Sequence, residues 1–460
     1  MIRNTLSRFI HPNLLEGKIF KSLVTFTIPI LISYLFQQLY NAVDTIIVGN
    51  YLNENALAAI GASAPINELI VGFGTGFGSG MGLVVARAFG SGNEKKLKKS
   101  VAASIIITFI ITVLMMIIFN FAIKPLLKLL NTPAEILEES YSYIIIICLF
   151  CIVIFTYNLA SGLLRAIGNS FMPLIFLVFS SLLNIVLDIL FITKFNMGIR
   201  GAAIATVIAQ FISAILTLLY IVLKAKILIP SIKNGDFKFD IETYKELSSQ
   251  GISMALMGSL VTSGTVILQR AINAFGKTIM AAHLTARKIF SLSSIPIFTI
   301  GLSSATFVSQ NYGAGKIDRV KKGVKIACII TTAWAIVLVA LSPLVLKPLL
   351  AFFSGSSDKE LIDYGFRYLT FAYPLFTVLG VLIVLRNSLQ GLGAKFLPLV
   401  SSIIELLGKI LFTVLIIPKT GIVGIILCEP LIWVVMTLHL LYTYIKRIRK
   451  INREQKEQAQ

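Results

Sequence analysis

Residues 100–122 read SVAASIIITFIITVLMMIIFNFA, an apolar run that contains no charged side chain. About 20 residues of helix cross the hydrocarbon core of a bilayer, so this stretch is long enough to span a membrane. Backbone amides and carbonyls in hydrocarbon must bond within their own segment, which favours a helix over an open strand. The run therefore predicts a membrane-spanning helix.

Similar runs recur along the whole chain of 460 residues, which is 56% hydrophobic and 13% charged. Soluble domains carry about 25% charged residues, so the composition excludes a mostly soluble protein. We predict an all-α integral membrane protein with about twelve transmembrane helices. The predicted spans are 22–50, 59–90, 100–122, 140–163, 172–192, 201–224, 247–272, 279–311, 326–346, 366–386, 397–417 and 422–445.

The formal net charge is +20, and the basic residues stand mainly in alternate short loops rather than on one folded face. This pattern follows the positive-inside rule and predicts that both termini lie in the cytoplasm. We expect a multi-pass protein of the plasma membrane whose basic loops face an anionic inner leaflet, with no nucleic-acid partner.

The two halves of the chain repeat one another. Residues 164–173, LRAIGNSFMP, match residues 389–398, LQGLGAKFLP, and Gly198-Ile-Arg-Gly201 matches Gly421-Ile-Val-Gly424. We predict an N-lobe at 1–223, a cytoplasmic linker at 224–246, a C-lobe at 247–446 and a basic tail at 447–460. Two six-helix lobes related by a pseudo-two-fold axis along the membrane normal are typical of transporters that alternate access.

Carboxylates inside spans are costly, and each is a functional-site hypothesis by default. Asp44 and Asp188 both fall in the outer halves of predicted spans, as do Thr206 and Tyr143, and Asn184 lies one helical turn before Asp188 on the same face. Two carboxylates with amide and hydroxyl oxygens suit a hard cation such as Na⁺, or a proton shared between the acids. We predict a cation site in this layer, with Asp44 and Asp188 as its metal ligands where the cation is Na⁺.

The aspartates of the first half are not repeated in the second half of the chain. Thr413 stands where the repeat would place Asp188, and the polar residues here are Glu405, Lys409 and Glu429. Glu405 and Lys409, one helical turn apart, are expected to neutralise each other in a structural role. Glu429 is a candidate cavity residue, and cation coupling is expected in the first half only.

Two further features concern helix shape. The run Gly72-Phe-Gly-Thr-Gly-Phe-Gly-Ser-Gly-Met-Gly82 lacks the context of a phosphate loop, and on a helix it forms two small faces that favour close packing. Pro29, inside the first span, predicts a kink. The three histidines show no metal spacing, so we expect neither an enzyme nor a cofactor.

These residues resemble multidrug and toxic compound extrusion (MATE) transporters of the bacterial type. The resemblance covers nearly the whole chain, and its most specific pieces are Asn41-Ala-Val-Asp44, Asn184-Ile-Val-Leu-Asp188 and Gly201-Ala-Ala-Ile-Ala-Thr206. It implies a Na⁺- or H⁺-coupled antiporter that exports organic cations or amphipathic drugs, with fused lobes that work as a monomer.

The same resemblance assigns roles to single residues. Asp44, Asn184, Asp188 and Thr206 would form the coupling site, and Pro29 would be the point where the first helix bends. Gln37, Tyr143 and Asn158 would line the substrate cavity of the N-lobe.

Two alternatives stay open. A membrane-embedded enzyme would need a reactive group of residues, and a structural membrane protein would show no transport. The other alternative is a lipid-linked precursor flippase of the related superfold. It would need basic residues along a central groove to hold a pyrophosphate, and the candidates are Arg270, Arg287 and Lys288.

Overall fold

The computed structural model describes residues 12–356 and 358–459, and this part of the chain contains only helices and connecting turns. The helices are α1 Ile19–Tyr51, α2 Glu54–Gly90, α3 Glu94–Leu129, α4 Ala134–Leu149, α5 Cys151–Ala166, α6 Phe171–Ile189, α7 Gly198–Lys224, α8 Ile241–Asn273, α9 Lys277–Gly313, α10 Ile317–Ser354, α11 Lys359–Gly391, α12 Phe396–Leu411, α13 Ile417–Thr420 and α14 Ile422–Ala459. π-Helical turns at Leu190–Lys194 and Phe412–Ile416 continue α6 and α12, and Lys226–Leu228 forms a 3₁₀ turn.

The number of spans agrees with the prediction. Within the described residues, eleven segments are long and apolar enough to cross a membrane, and α4 with α5 gives a twelfth. The predicted single span 140–163 is divided, because α4 and α5 meet at a bend of 47°. Kinks usually occur at proline or glycine, but residues 149–151 contain neither, and nothing in the local sequence explains this bend.

Residue contacts divide the chain into two units. Unit 1 contains Ile28–Gly258, and unit 2 contains Leu14–Thr27 together with the described chain from Ser259 onward. Both divisions fall inside helices, one in α1 just before Pro29 and one in α8. The N-terminal residues 1–11, whose cytoplasmic side was predicted, lie outside the described part of the chain.

The predicted linker 224–246 overlaps the start of α8, which begins at Ile241. The Thr243 hydroxyl donates to the Asp240 carboxylate at 2.6 Å, and the Tyr244 amide donates to the Asp240 carbonyl at 3.0 Å. Asp is a favoured residue just before a helix, so this polar start belongs to the helix and not to a free loop.

The glycine run packs α2 against two partners inside unit 1, as the sequence predicted. A Cβ atom at Gly80 would lie 2.7 Å from the Gln250 carbonyl oxygen of α8. A Cβ atom at Gly78 would lie 2.7 Å from the backbone of Asn158 in α5. Only glycine allows such close approach of helix backbones, so the two small faces bring two neighbours against α2.

The internal repeat is also visible in the backbone. Glycines with positive φ occur in matched pairs at helix ends: Gly92 with Gly315, Gly168 with Gly393, and Gly198 with Gly421. Their φ angles are 69° and 71°, 91° and 78°, and 58° and 61° respectively. L-residues with side chains rarely adopt this conformation, so the two halves use the same turns at the same repeat positions.

Candidate functional site

Two acidic residues of unit 1 meet inside the helices. Asp44 lies on α1, and Asp188 lies near the end of α6, directly before the π-helical turn Leu190–Lys194. Their carboxyl groups are close enough to interact electrostatically. Asp188 is fully buried, whereas Asp44 is partly exposed. The structure therefore brings together the two carboxylates that were predicted from separate spans.

Several buried oxygens at this site have no hydrogen-bond partner among the described residues. They are both carboxylate oxygens of Asp188, Oδ1 of Asp44 and Oδ1 of Asn184. The Asn184 amide donates to the Thr206 hydroxyl at 3.5 Å, which joins Thr206 on α7 to the same group. Buried polar atoms are normally satisfied, so this oxygen set suits a proton held between the acids or a small hard cation.

Two tyrosines complete the surroundings of the acids. The Tyr40 side chain lies close to Thr206. Tyr143 is buried, with 5% of its surface exposed, and is close enough to both acids to interact electrostatically. Tyr143 was predicted to share this layer, but Tyr40 was not singled out. Its position one helical turn before Asp44 on α1 is the signal that could have found it.

A cavity adjoins this group inside unit 1. It is lined by Gln37, Tyr40, Val71, Thr75, Ile154, Tyr157, Asn158, Leu177, Ser180, Ser181, Asn184, Ala209, Gln210 and Ser213. The predicted cavity residues Gln37 and Asn158 are both in this lining, whereas Tyr143 is not. Asn184 belongs to the lining as well as to the acidic group, so the cavity and the acids share a wall.

Pro29 is buried in α1, which continues as a helix on both sides of it. Proline lacks the N–H that would bond the carbonyl one turn earlier, so the helix is weakened at this point. The Ser33 hydroxyl donates to the Pro29 carbonyl at 2.8 Å. The division between the two units falls between Thr27 and Ile28, one residue before this proline.

The predicted cavity residue Glu429 belongs to unit 2, where it is part of an ion network. Its carboxylate bonds Arg287 at 2.5 Å and Lys409 at 3.2 Å, and it accepts from the Tyr368 hydroxyl at 3.3 Å. The expected pair of Glu405 and Lys409 is present at 3.1 Å. The sequence did not predict that Lys409 also binds Glu429. The Glu405–Lys409 pair and Glu429, which were considered separately, therefore belong to one ion network.

The described residues contain no group of three or more His, Cys, Asp or Glu side chains arranged to hold a metal ion. An all-α chain with about twelve spans, an internal repeat and paired acids beside a polar cavity defines a multi-pass membrane transporter.

Comparison with known proteins identifies the family. A family profile described as MatE matches residues 29–190 and 253–415, so the chain belongs to the MatE family of multidrug transporters and is not an enzyme. The two matched segments fall one in each half of the chain. The resemblance deduced from Asp44, Asp188 and their neighbours is thereby confirmed at the level of the family.

Individual relatives cover most of the chain. The "Probable multidrug resistance protein YpnP" of Bacillus subtilis is 26% identical over 390 residues, 85% of this chain and 86% of that protein. The "Probable multidrug resistance protein YoeA" of the same organism is 25% identical over 443 residues, 95% of each chain. A crystal structure of "MATE in the bent conformation" has a TM-score of 0.89 at 22% identity, over 96% of this chain and 98% of that one.

Proposed function

We propose that this MatE-family transporter is an antiporter that exports organic cations or amphipathic drugs in exchange for Na⁺ or H⁺. The observation that carries the proposal is the pair of neighbouring carboxyl groups, Asp44 and Asp188, with buried oxygens that have no hydrogen-bond partner in the part of the chain that the structure describes. Two neighbouring carboxylates, both negatively charged, repel each other strongly in a low dielectric. A proton or a monovalent cation relieves that repulsion.

In this scheme the cavity holds the exported drug beside the two carboxylates. Organic cations are attracted by unneutralised carboxylates, and the cavity beside them is lined by amides, hydroxyls and aromatic rings. A coupling cation that reaches the acids removes this attraction and favours release of the drug. Drug and coupling cation therefore compete for one negative charge, which is the requirement for exchange.

The membrane potential can drive this exchange. It supplies about 2.3 kcal/mol per elementary charge per 100 mV, so the net charge moved per cycle sets its contribution. In this scheme the coupling ion enters from outside, the protein acts as a monomer in the plasma membrane, and its termini face the cytoplasm. Asn184 and Thr206 hold the coupling ion together with the acids, and Gln37, Tyr143 and Asn158 surround the drug.

The flippase alternative is not favoured. It needs basic side chains free to hold a pyrophosphate, but Arg287 is already bound to Glu429. The relatives compared above are named as multidrug resistance proteins.

The test is uphill efflux of a fluorescent cationic dye from vesicles that contain the purified protein. Na⁺ and pH gradients are imposed separately, so a response to one of them identifies the coupling ion. Asp188→Asn, which keeps the side-chain volume and removes the charge, should abolish the response to that gradient. Asp318→Asn is the matched control, because the Asp318 side chain is 89% exposed. Efflux that responds to neither gradient, or gradient-driven efflux that persists in Asp188→Asn, contradicts the proposal.

A further inference from the structure

The ion network of unit 2 occupies the repeat positions of the acidic site in unit 1. When α6 and α12 are aligned on their first residues, Phe171 and Phe396, Asn184 coincides with Lys409. When α7 and α14 are aligned on Gly201 and Gly424, Thr206 coincides with Glu429. The same repeat pairs Tyr143 with Tyr368, so three residues of one site have counterparts in the other.

The contacts are repeated as well as the positions. In unit 1 the Asn184 amide donates to the Thr206 hydroxyl at 3.5 Å. In unit 2 the Lys409 ammonium bonds the Glu429 carboxylate at 3.2 Å. In addition, α6 passes into a π-helical turn shortly after Asn184, and α12 does so shortly after Lys409. The network is therefore the counterpart of the cation site and not an unrelated cluster.

Three oxygens surround the Lys409 ammonium. They belong to Glu405 at 3.1 Å, Glu429 at 3.2 Å and Thr265 at 3.1 Å, and the Lys409 side chain is only 2% exposed. Carboxylate and hydroxyl oxygens are also the ligands that a transported alkali cation would use. The aliphatic part of Lys409 passes beside Gly264, where a Cβ atom would lie 2.9 Å from Cδ of the lysine.

The charges of the network exclude another cation. Arg287 bonds Glu429, and Arg386 lies 3.6 Å from Glu405, so three positive side chains share two carboxylates. No other carboxylate of the described chain forms an ion pair with these three cations. A further cation brought to this site would meet a surplus positive charge in a region of low dielectric.

We propose that Lys409 is a built-in cation, whose ammonium permanently fills the unit 2 counterpart of the cation site. Lys409 thereby determines that ion coupling is confined to the acids of unit 1. This rests on the proposed function only in taking Asp44 and Asp188 as the coupling acids. The ligand class that the site accepts is a primary ammonium ion, supplied here by the protein itself.

The experiment removes the ammonium and then returns it as a free molecule. Lys409→Ala lacks three carbons and the ammonium, which n-propylammonium matches, while n-propanol has a similar shape and no charge. We expect Lys409→Ala to lower the thermal unfolding midpoint of the purified protein. Propylammonium should restore most of the loss in a saturable manner, because a ligand that binds only the folded state stabilises it. Propanol should not.

Controls separate this effect from general amine effects and from the proposed function. Lys321→Ala, at a partly exposed lysine beside Asp318, should show no response to propylammonium, and neither should the unaltered protein. The rescue should persist in Asp188→Asn/Lys409→Ala, since it does not use the coupling acids. Failure of the proposed function would appear in the dye assay of Asp188→Asn, without affecting this rescue.

Equal responses to propylammonium and propanol overturn the proposal. If Lys409→Ala does not fold, Lys409→Arg and Lys409→Met decide, because they differ in charge at similar length. We expect Arg to retain folding and an unchanged ion preference, and Met to lose folded protein. Equal behaviour of the two variants, whether both fold or both fail, also overturns it.

Discussion

In unit 1 the buried carboxylate of Asp188 has no hydrogen-bond partner among the described residues, whereas in unit 2 the buried carboxylate of Glu429 contacts three side chains. The two sites correspond in the internal repeat, although Asp188 itself pairs with Thr413 and Glu429 pairs with Thr206. Buried carboxylates without partners carry a large desolvation penalty that a mobile cation can relieve. Buried carboxylates with fixed cationic partners do not need one. The difference shows that one half of a duplicated chain keeps a buried carboxylate without a partner among the described residues, while the other half pairs its buried carboxylate with fixed cations.

The largest expected effect comes from removing one of the two carboxylates of unit 1. Asp44→Asn should reduce gradient-driven efflux of a cationic dye to the level of protein-free vesicles, because a single remaining carboxylate no longer shares a proton or cation. The measurement is initial efflux rate, normalised to folded protein by size-exclusion chromatography. Asp363→Asn, at an exposed acid of α11, provides the control. Undiminished efflux in Asp44→Asn would place coupling elsewhere.

The next effect concerns the fixed charges. Glu429→Gln leaves Arg287 and Lys409 without their shared partner, and breaking a buried pair this way costs about 3–5 kcal/mol of folding stability. We expect a lower unfolding midpoint and less folded protein, with the ion preference of the remaining efflux unchanged. Glu138→Gln removes an exposed pair with Lys124 and should change stability little. A changed ion preference in Glu429→Gln would mean that unit 2 takes part in coupling.

A smaller effect is expected where helix packing positions the cavity of unit 1. Gly78→Ala should destabilise the protein by about 1–3 kcal/mol, since the added methyl group meets the backbone of Asn158. Because Asn158 lines the cavity, dye affinity should fall as well. Gly72→Ala on the same helix has open space around the new methyl group and is the matched control. Thermal unfolding and dye binding together check this, and equal effects of the two variants would contradict it.

The smallest effect is expected from removing the hydroxyl of Thr206 in unit 1, compared with that of Thr265 in unit 2. Thr206→Ala should weaken the response to the coupling ion about fivefold to tenfold, the loss of roughly 1 kcal/mol for one polar contact. Thr265→Ala removes a hydroxyl from Lys409 in unit 2 and should leave the response to the coupling ion unchanged. The ion concentration for half-maximal efflux measures both. If this ion concentration changes more in Thr265→Ala than in Thr206→Ala, the prediction is wrong.

Most of the fold could be predicted from the sequence because its signals are local. Apolar length sets each span, and the twelve predicted segments correspond to those in the structure, with the bent pair α4 and α5 as one. The packing role of Gly72–Gly82 followed from helical periodicity alone. The bend at α4 and α5 could not be predicted, since no residue at residues 149–151 marks it.

The candidate site was predictable only in part. Asp44, Asp188, Asn184 and Thr206 were identified because charged and amide side chains inside spans are conspicuous. Tyr40 was not, because a tyrosine near a membrane interface is ordinary and its contact with Thr206 depends on how α1 lies against α7. Glu429 was placed among the cavity residues, since nothing in the local sequence shows that Arg287 reaches it from a distant helix.

The sequence by itself determined the class of protein, the number of spans, the internal repeat and the identity of the buried charges, because hydrophobic length and residue type are properties of the chain. The tertiary structure decided which of those charges have partners. Side chains separated by more than a hundred residues, such as Asp44 with Asp188 or Arg287 with Glu429, meet only when helices pack. Whether a buried carboxylate is left available to a mobile cation or neutralised by a fixed one depends on that packing.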